Sequence, residues 1–154
     1  MAAPSLTPAT VITGASSGIG EALARRLAAQ EKQTLVLVAR RQDKLAALAA
    51  ELKTAHGARV ETIVLDLEVP GAAARLLADV EARGLAIDTL INNAGFGLNN
   101  LFADMPLDRI QGMMQLNMVA LTELSHGVLP GMRLRRQGRI MNIASVAAFQ
   151  ACPR

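Results

Sequence analysis

The chain has 154 residues, 51% of them apolar, with three Phe, no Tyr, no Trp and a net charge of +3. That suits one globular domain whose core is built from Leu, Val, Ile, Ala and Met, with little scope for aromatic stacking on bases. No apolar run approaches the ~18 residues of a membrane span, and Met1–Thr10 lacks the basic and hydrophobic regions of a secretion signal.

The first apolar, β-branched run is Ala9–Thr13, and behind it stands Thr13-Gly14-Ala15-Ser16-Ser17-Gly18-Ile19-Gly20. Gly14 can take a backbone conformation closed to other residues, Gly18 allows a close approach of the chain to a ligand, and Gly20 lets the next helix pack on the strand. Amide groups at the helix start then offer an anion site. Taken alone, the spacing suits a ligand-free glycine turn as well. Ile19, Leu23 and Leu27 give that helix an apolar face. A second strand is expected at Thr34–Ala39, followed by Arg40 and Arg41 at a helix start, where positive charge opposes the helix dipole. Solvated arginines or a bound phosphate both fit this placement. Leu45, Leu48, Ala49 and Leu52 then recur at helical spacing, and His56 falls in the loop that follows.

A third strand, Val60–Leu65, ends at Asp66-Leu67, and a third helix is expected within Gly71–Ala82. The fourth strand, Ile87–Ile91, leads into Asn92-Asn93-Ala94-Gly95, where side-chain amides can satisfy strand-end backbone groups and the small residues leave room for a ligand. Phe96, Leu98 and Phe102 suit an apolar mouth or plain loop packing equally. A long helix is expected from about Pro106 to Arg136, with Asp104 as N-cap, Pro106 in the first turn and a kink or break at Pro130-Gly131. Within it, Met113, Met114 and Met118 read as core or interface filling, while Asn117 in an apolar setting calls for a buried partner. Arg133, Arg135, Arg136 and Arg139 gather at its end, where cations complement the dipole. Without a nucleic-acid motif, they do not point to a nucleic-acid partner. A fifth strand, Arg139–Ala144, closes at Ser145.

Strands alternating with helices predict a single α/β domain over residues 1–154, a Rossmann-type doubly wound parallel sheet in the order 3-2-1-4-5. The single cysteine, Cys152, permits no internal disulfide and fits a reducing cytoplasm. With His56 and His126 far apart and no cysteine cluster, no metal site is expected.

The glycine run, Asp66-Leu67, Asn92-Asn93-Ala94-Gly95, Asn117 and Ser145, in that order, resemble the short-chain dehydrogenase/reductase family over almost the whole chain. The resemblance implies a bound nicotinamide dinucleotide and hydride transfer to or from a small carbonyl or alcohol substrate. It implies that Asp66 hydrogen-bonds the adenine beside Leu67, and that Asn93, Ala94 and Gly95 lie along ribose and nicotinamide. Asn117 would bond the backbone and hold a water of a proton relay, and Ser145 would orient the substrate carbonyl. Where NAD-binding sites carry an acid against the ribose, this chain has Ala39 followed by Arg40 and Arg41, which favours NADP over NAD. Full-length members are expected to be homo-oligomers.

The family's Tyr-x-x-x-Lys pair follows the serine-bearing strand, and this chain reaches Arg154 without it and contains no Tyr. The expectation is a coenzyme-binding portion, truncated after the fifth strand and inactive alone. A non-catalytic protein that binds nucleotide or a partner is the alternative.

Overall fold

The computed structural model describes residues 6–30 and 34–149; Cys152 lies outside them. Five runs become parallel strands, β1 (Thr7–Thr13), β2 (Thr34–Ala39), β3 (Val60–Val64), β4 (Leu85–Asn92) and β5 (Arg139–Asn142). They form one sheet in the order β3-β2-β1-β4-β5, as the sequence predicts. β5 stops short of Ala144, and past its end the Ile143 N–H still donates to Asn92 O at 2.9 Å.

Helices α1 (Gly18–Gln30), α2 (Gln42–His56) and α3 (Ala72–Ala82) alternate with the first four strands. After β4 come a 3₁₀ turn (Phe102–Asp104), α4 (Leu107–Met114), a π-helical stretch (Gln115–Ala120) and α5 (Leu121–Arg135). Every position of β2 is buried, which is the signature of a strand covered on both faces. Its side chains divide by alternation. Leu35 and Leu37 pack with Ala24 and Ala28 of α1 and with Leu45, Leu48, Ala49 and Leu52 of α2, while Val36 and Val38 join Leu76 and Val80 of α3 and Leu124, Val128 and Met132 of α5. Two cores result, one on each face of the sheet.

Local chemistry overrides several sequence expectations. α1 approaches the sheet through the buried small residues Gly20, Ala24 and Ala28, with Leu23 and Leu27 partly buried beside them, and this turns Ile19 outward to 58% exposure. His56 is not in a loop but ends α2, whose C-cap Gly57 supplies the left-handed conformation at φ 63°. Asp104 is not an N-cap. It sits in the 3₁₀ turn, and Pro106 takes the cap position of α4 because Met105, as the residue before a proline, is held extended. Met114 and Met118 are 48% and 59% exposed, so neither fills the core. α5 runs on through Pro130, whose missing N–H removes one hydrogen bond from a helix anchored by the buried Leu124, Val128 and Met132.

Arg135 fixes the end of α5 to the sheet. Its guanidinium donates to Ile87 O at 2.9 Å and meets Asp88 Oδ1 at 3.2 Å, and Gln137 Nε2 donates to Asp88 Oδ2 at 3.1 Å. Asp88 is buried, and these partners satisfy a carboxylate that would otherwise be costly there. Among the described residues, no helix is long and apolar enough to cross a membrane, and no group of three or more His, Cys, Asp or Glu could hold a metal.

Candidate functional site

In this strand order the chain leaves β1 toward one edge and returns through β4 toward the other, so the loops after β1 and β4 part at their carboxyl ends. A crevice must form there. The structure has a cleft of about 500 Å³ at that place.

Next to the cleft, the side chain of Thr13 at the end of β1 ties down the end of β4. Thr13 Oγ1 accepts the N–H groups of Asn93 and Ala94, each at 3.0 Å, and donates to Ile91 O at 3.3 Å. Asn93 answers from the other side, its Nδ2 donating to Thr13 O at 2.9 Å and Gly14 O at 3.3 Å. The glycine loop and the Asn-Asn-Ala-Gly segment are thereby locked together. Asn92 points elsewhere, its Nδ2 donating to Ser125 Oγ at 3.0 Å and Asn142 Oδ1 at 2.9 Å, so it braces β4, α5 and β5 from behind.

The loop's glycines are required by this closeness. Gly14 has φ 66°, and a Cβ on it would stand 2.8 Å from Ala94 Cα; a Cβ on Gly20 would stand 2.6 Å from Gly14 O. Gly18 also takes a positive φ, 59°, but with open space around it. A cradle that small side chains would fill, opening onto the start of α1, fits a pyrophosphate laid along the backbone.

Of the residues the sequence singles out, Gly14, Ser16, Ser17, Ile19, Arg40 and Arg41 line one wall of the cleft. Asp66, Leu67, Asn93, Ala94 and Gly95 line it as well. Thr13, Gly18 and Gly20 are not among its lining residues. Arg41 reaches across to the glycine loop. Its Nη2 donates to Ser17 Oγ at 2.8 Å, Ser16 Oγ at 3.0 Å and Ser16 O at 3.1 Å, and its Nε to Ser16 Oγ at 3.2 Å. Arg40 instead pairs with Glu68 at 2.7 Å and lies 3.7 Å from Asp66.

Asn117 and Ser145 are not among the residues lining the cleft. Asn117 stands in the π-helical stretch and clasps one residue of the loop after β4, accepting the Phe96 N–H at 3.2 Å and donating to Phe96 O at 2.8 Å. Its partner is backbone, as the resemblance implies, but the side chain is exposed rather than buried. Ser145 lies beyond the end of β5 and caps a short turn, its Oγ accepting the Ala147 N–H at 3.2 Å. Of the loop aromatics, Phe96 lines the cleft and Phe102 is 77% exposed.

Leu116, Ile143 and Glu68 carry no signal of this kind in the sequence. The first two line the cleft yet look like any helix or strand aliphatic, and Glu68 matters only through partners distant in the chain.

The sequence matches the short chain dehydrogenase family over residues 8–154. The chain belongs to that family. It is 41% identical to the ketoacyl reductase HetN of Nostoc sp., over 92% of this chain and 49% of that protein. Among solved structures, a short-chain dehydrogenase from Sphingobium yanoikuyae in complex with NADPH superposes with a TM-score of 0.84 at 40% identity, covering 92% of this chain and 55% of the other. The L-sorbose reductase of Gluconobacter frateurii, complexed with NADPH and L-sorbose, gives a TM-score of 0.86 at 36% identity over 96% and 56% of the two chains. This short-chain dehydrogenase chain thus spans about half the length of the curated relative and little more than half of the solved ones.

Proposed function

We propose that these residues form the coenzyme-binding portion of an oxidoreductase that moves a hydride between NADP(H) and a small carbonyl or alcohol substrate. The observation that carries the coenzyme choice is Arg41, a guanidinium bound only to neutral oxygens of Ser16 and Ser17 among its described partners, at the mouth of the cleft. Beside it, Ala39 stands where an NAD site would place an acid. The NADPH held by the two solved relatives supports the same choice.

When bound, NADPH supplies the hydride that a carbonyl carbon takes up. The residues of this chain bind and orient. Amides at the start of α1 take the pyrophosphate, Arg40 and Arg41 take the 2′-phosphate through charge-assisted bonds, and Asp66 with Leu67 borders the adenine. Asn93, Ala94 and Gly95 border ribose and nicotinamide. Ser145 uses an oxygen lone pair on Ala147 and keeps its own proton to donate to a substrate oxygen. Asn117 holds the Phe96 loop by both ends of its amide. The family's proton donor is a tyrosine, a residue type absent from the 154 residues.

Calorimetric titration with NADP+ and NAD+ tests the reading. NADP+ should bind about tenfold more tightly, and Arg41→Ala should weaken it by about 1–2 kcal/mol, a charged contact discounted for solvent. Equal affinities for the two dinucleotides would sink the NADP assignment. The 154 residues alone should oxidise no NADPH with ketones or aldehydes, and a rate abolished by Ser145→Ala would require another proton donor. A folded chain that binds neither dinucleotide would turn the reading to a non-catalytic interaction protein.

A further inference from the structure

Arg40 and Arg41 are neighbours of the same formal charge whose heads meet opposite chemistry. Arg41 donates to neutral serine oxygens. Arg40 Nη1 meets Glu68 Oε1 at 2.7 Å and Asp66 Oδ2 at 3.7 Å. Neutral oxygens leave a guanidinium's charge available to an anion, whereas carboxylates oppose it.

Glu68 is also firmly seated. Its side chain is 15% exposed, against 60% for Arg40. Its backbone N–H donates to Asp66 Oδ1 at 2.9 Å, and its Oε2 rests on α4, 3.7 Å from Arg109 Nη1. A Cβ on Gly112 would stand 2.9 Å from that same oxygen, so the glycine makes the seat. Arg109 and Gly112 are three residues apart and share a helix face. Arg109 in turn lies over the ring of Phe96, 4.9 Å from its centroid, on the cleft wall.

We infer that Glu68 is a positioning residue that competes with the coenzyme 2′-phosphate for Arg40, and so sets how strongly the site prefers NADP(H) to NAD(H). The inference rests on the NADP reading above. A phosphate that recruits Arg40 must either draw it off Glu68 or settle beside the carboxylate, and both are unfavourable. NAD carries a hydroxyl at that position and meets neither cost. The competition therefore acts on one coenzyme only.

Glu68→Gln keeps the size of the side chain and an oxygen for Arg40 while removing the charge. Kd values for NADP+ and NAD+ are measured on the wild type, Glu68→Gln, Arg40→Ala and the double variant. Glu68→Gln should raise the NADP+ to NAD+ affinity ratio roughly three- to tenfold, a range set by partly solvent-screened charges. The gain should vanish in the Arg40→Ala background. Glu68→Asp, which keeps the charge but shortens its reach to Arg40, should give a smaller gain in the same direction. Wild type without an NADP+ preference defeats the parent reading. A wild-type preference with an unchanged ratio in both Glu68 variants, with equal loss of both dinucleotides, or with a gain that survives Arg40→Ala, overturns the role of Glu68 alone.

Discussion

At the scale of single residues, the glycine loop separates two reasons for a missing side chain. Gly18 needs only its positive φ, since nothing lies near a Cβ there, whereas Gly14 needs both its φ and its emptiness. Gly20 has an ordinary helical backbone, and an alanine would ordinarily help the helix by about 1 kcal/mol. Here its Cβ would press on Gly14 O at 2.6 Å and on the Asn93 amide, so the sign reverses. Urea denaturation should find Gly18→Ala destabilising by about 1–2 kcal/mol, the cost of a left-handed alanine. Gly14→Ala should cost about 1–3 kcal/mol more through overlap with backbone. Gly20→Ala should lower both stability and dinucleotide binding, and a variant as stable as wild type would show that the loop can yield. These glycines and the Asn-Asn-Ala-Gly segment are legible in the sequence because few residue types fit such positions. Glu68 is not legible, because its seat is made by Gly112 and its charge is met by Arg40 and Arg109, all remote in the chain.

At the scale of elements, hydrophobic periodicity locates the helices well and their irregularities badly. Leu45, Leu48, Ala49 and Leu52 of α2 are all buried as their spacing predicts, and α3 begins one residue after Gly71. The segment after β4 is harder, because its breaks arise from tertiary demands. The π-helical irregularity lies at Gln115–Ala120, where Asn117 binds the Phe96 loop, while Pro130 stands inside α5 without interrupting it. A π-helical insertion has no composition signal. Pro130 is exposed and lacks the N–H that would reach His126 O, so it costs α5 a bond without contributing to the core. Pro130→Ala should stabilise the chain by about 1–3 kcal/mol and leave dinucleotide affinity unchanged. Thermal unfolding checks it; a lower midpoint would mean that the proline holds a bend on which the packing of Leu124, Val128 and Met132 depends.

At the scale of the molecule, the cleft belongs to no single element. Its walls come from the carboxyl ends of β1, β2 and β4, the loop after β3, Leu116 of the π-helical stretch and Ile143 past β5. The strand order that creates it could be read from the alternation of elements and the position of the glycine run, which fixes β1 at the centre of the sheet. The shape of the cleft could not, because it depends on how far each loop folds back. A ligand in such a cleft is lost whenever either half of the sheet opens, so binding should stabilise the fold as a unit. At a coenzyme concentration of 100 Kd the gain is about 2.7 kcal/mol. For a domain of this size that raises the unfolding midpoint by about 5–10 °C. NADP+ should produce this shift in a single cooperative transition, and NAD+ at the same concentration about half of it, given an affinity about tenfold weaker. The comparison is made by differential scanning calorimetry on the 154-residue chain. A shift confined to one of two resolved transitions would instead show that the β3-β2-β1 side and the β4-β5 side unfold separately, and that the coenzyme grips only one of them.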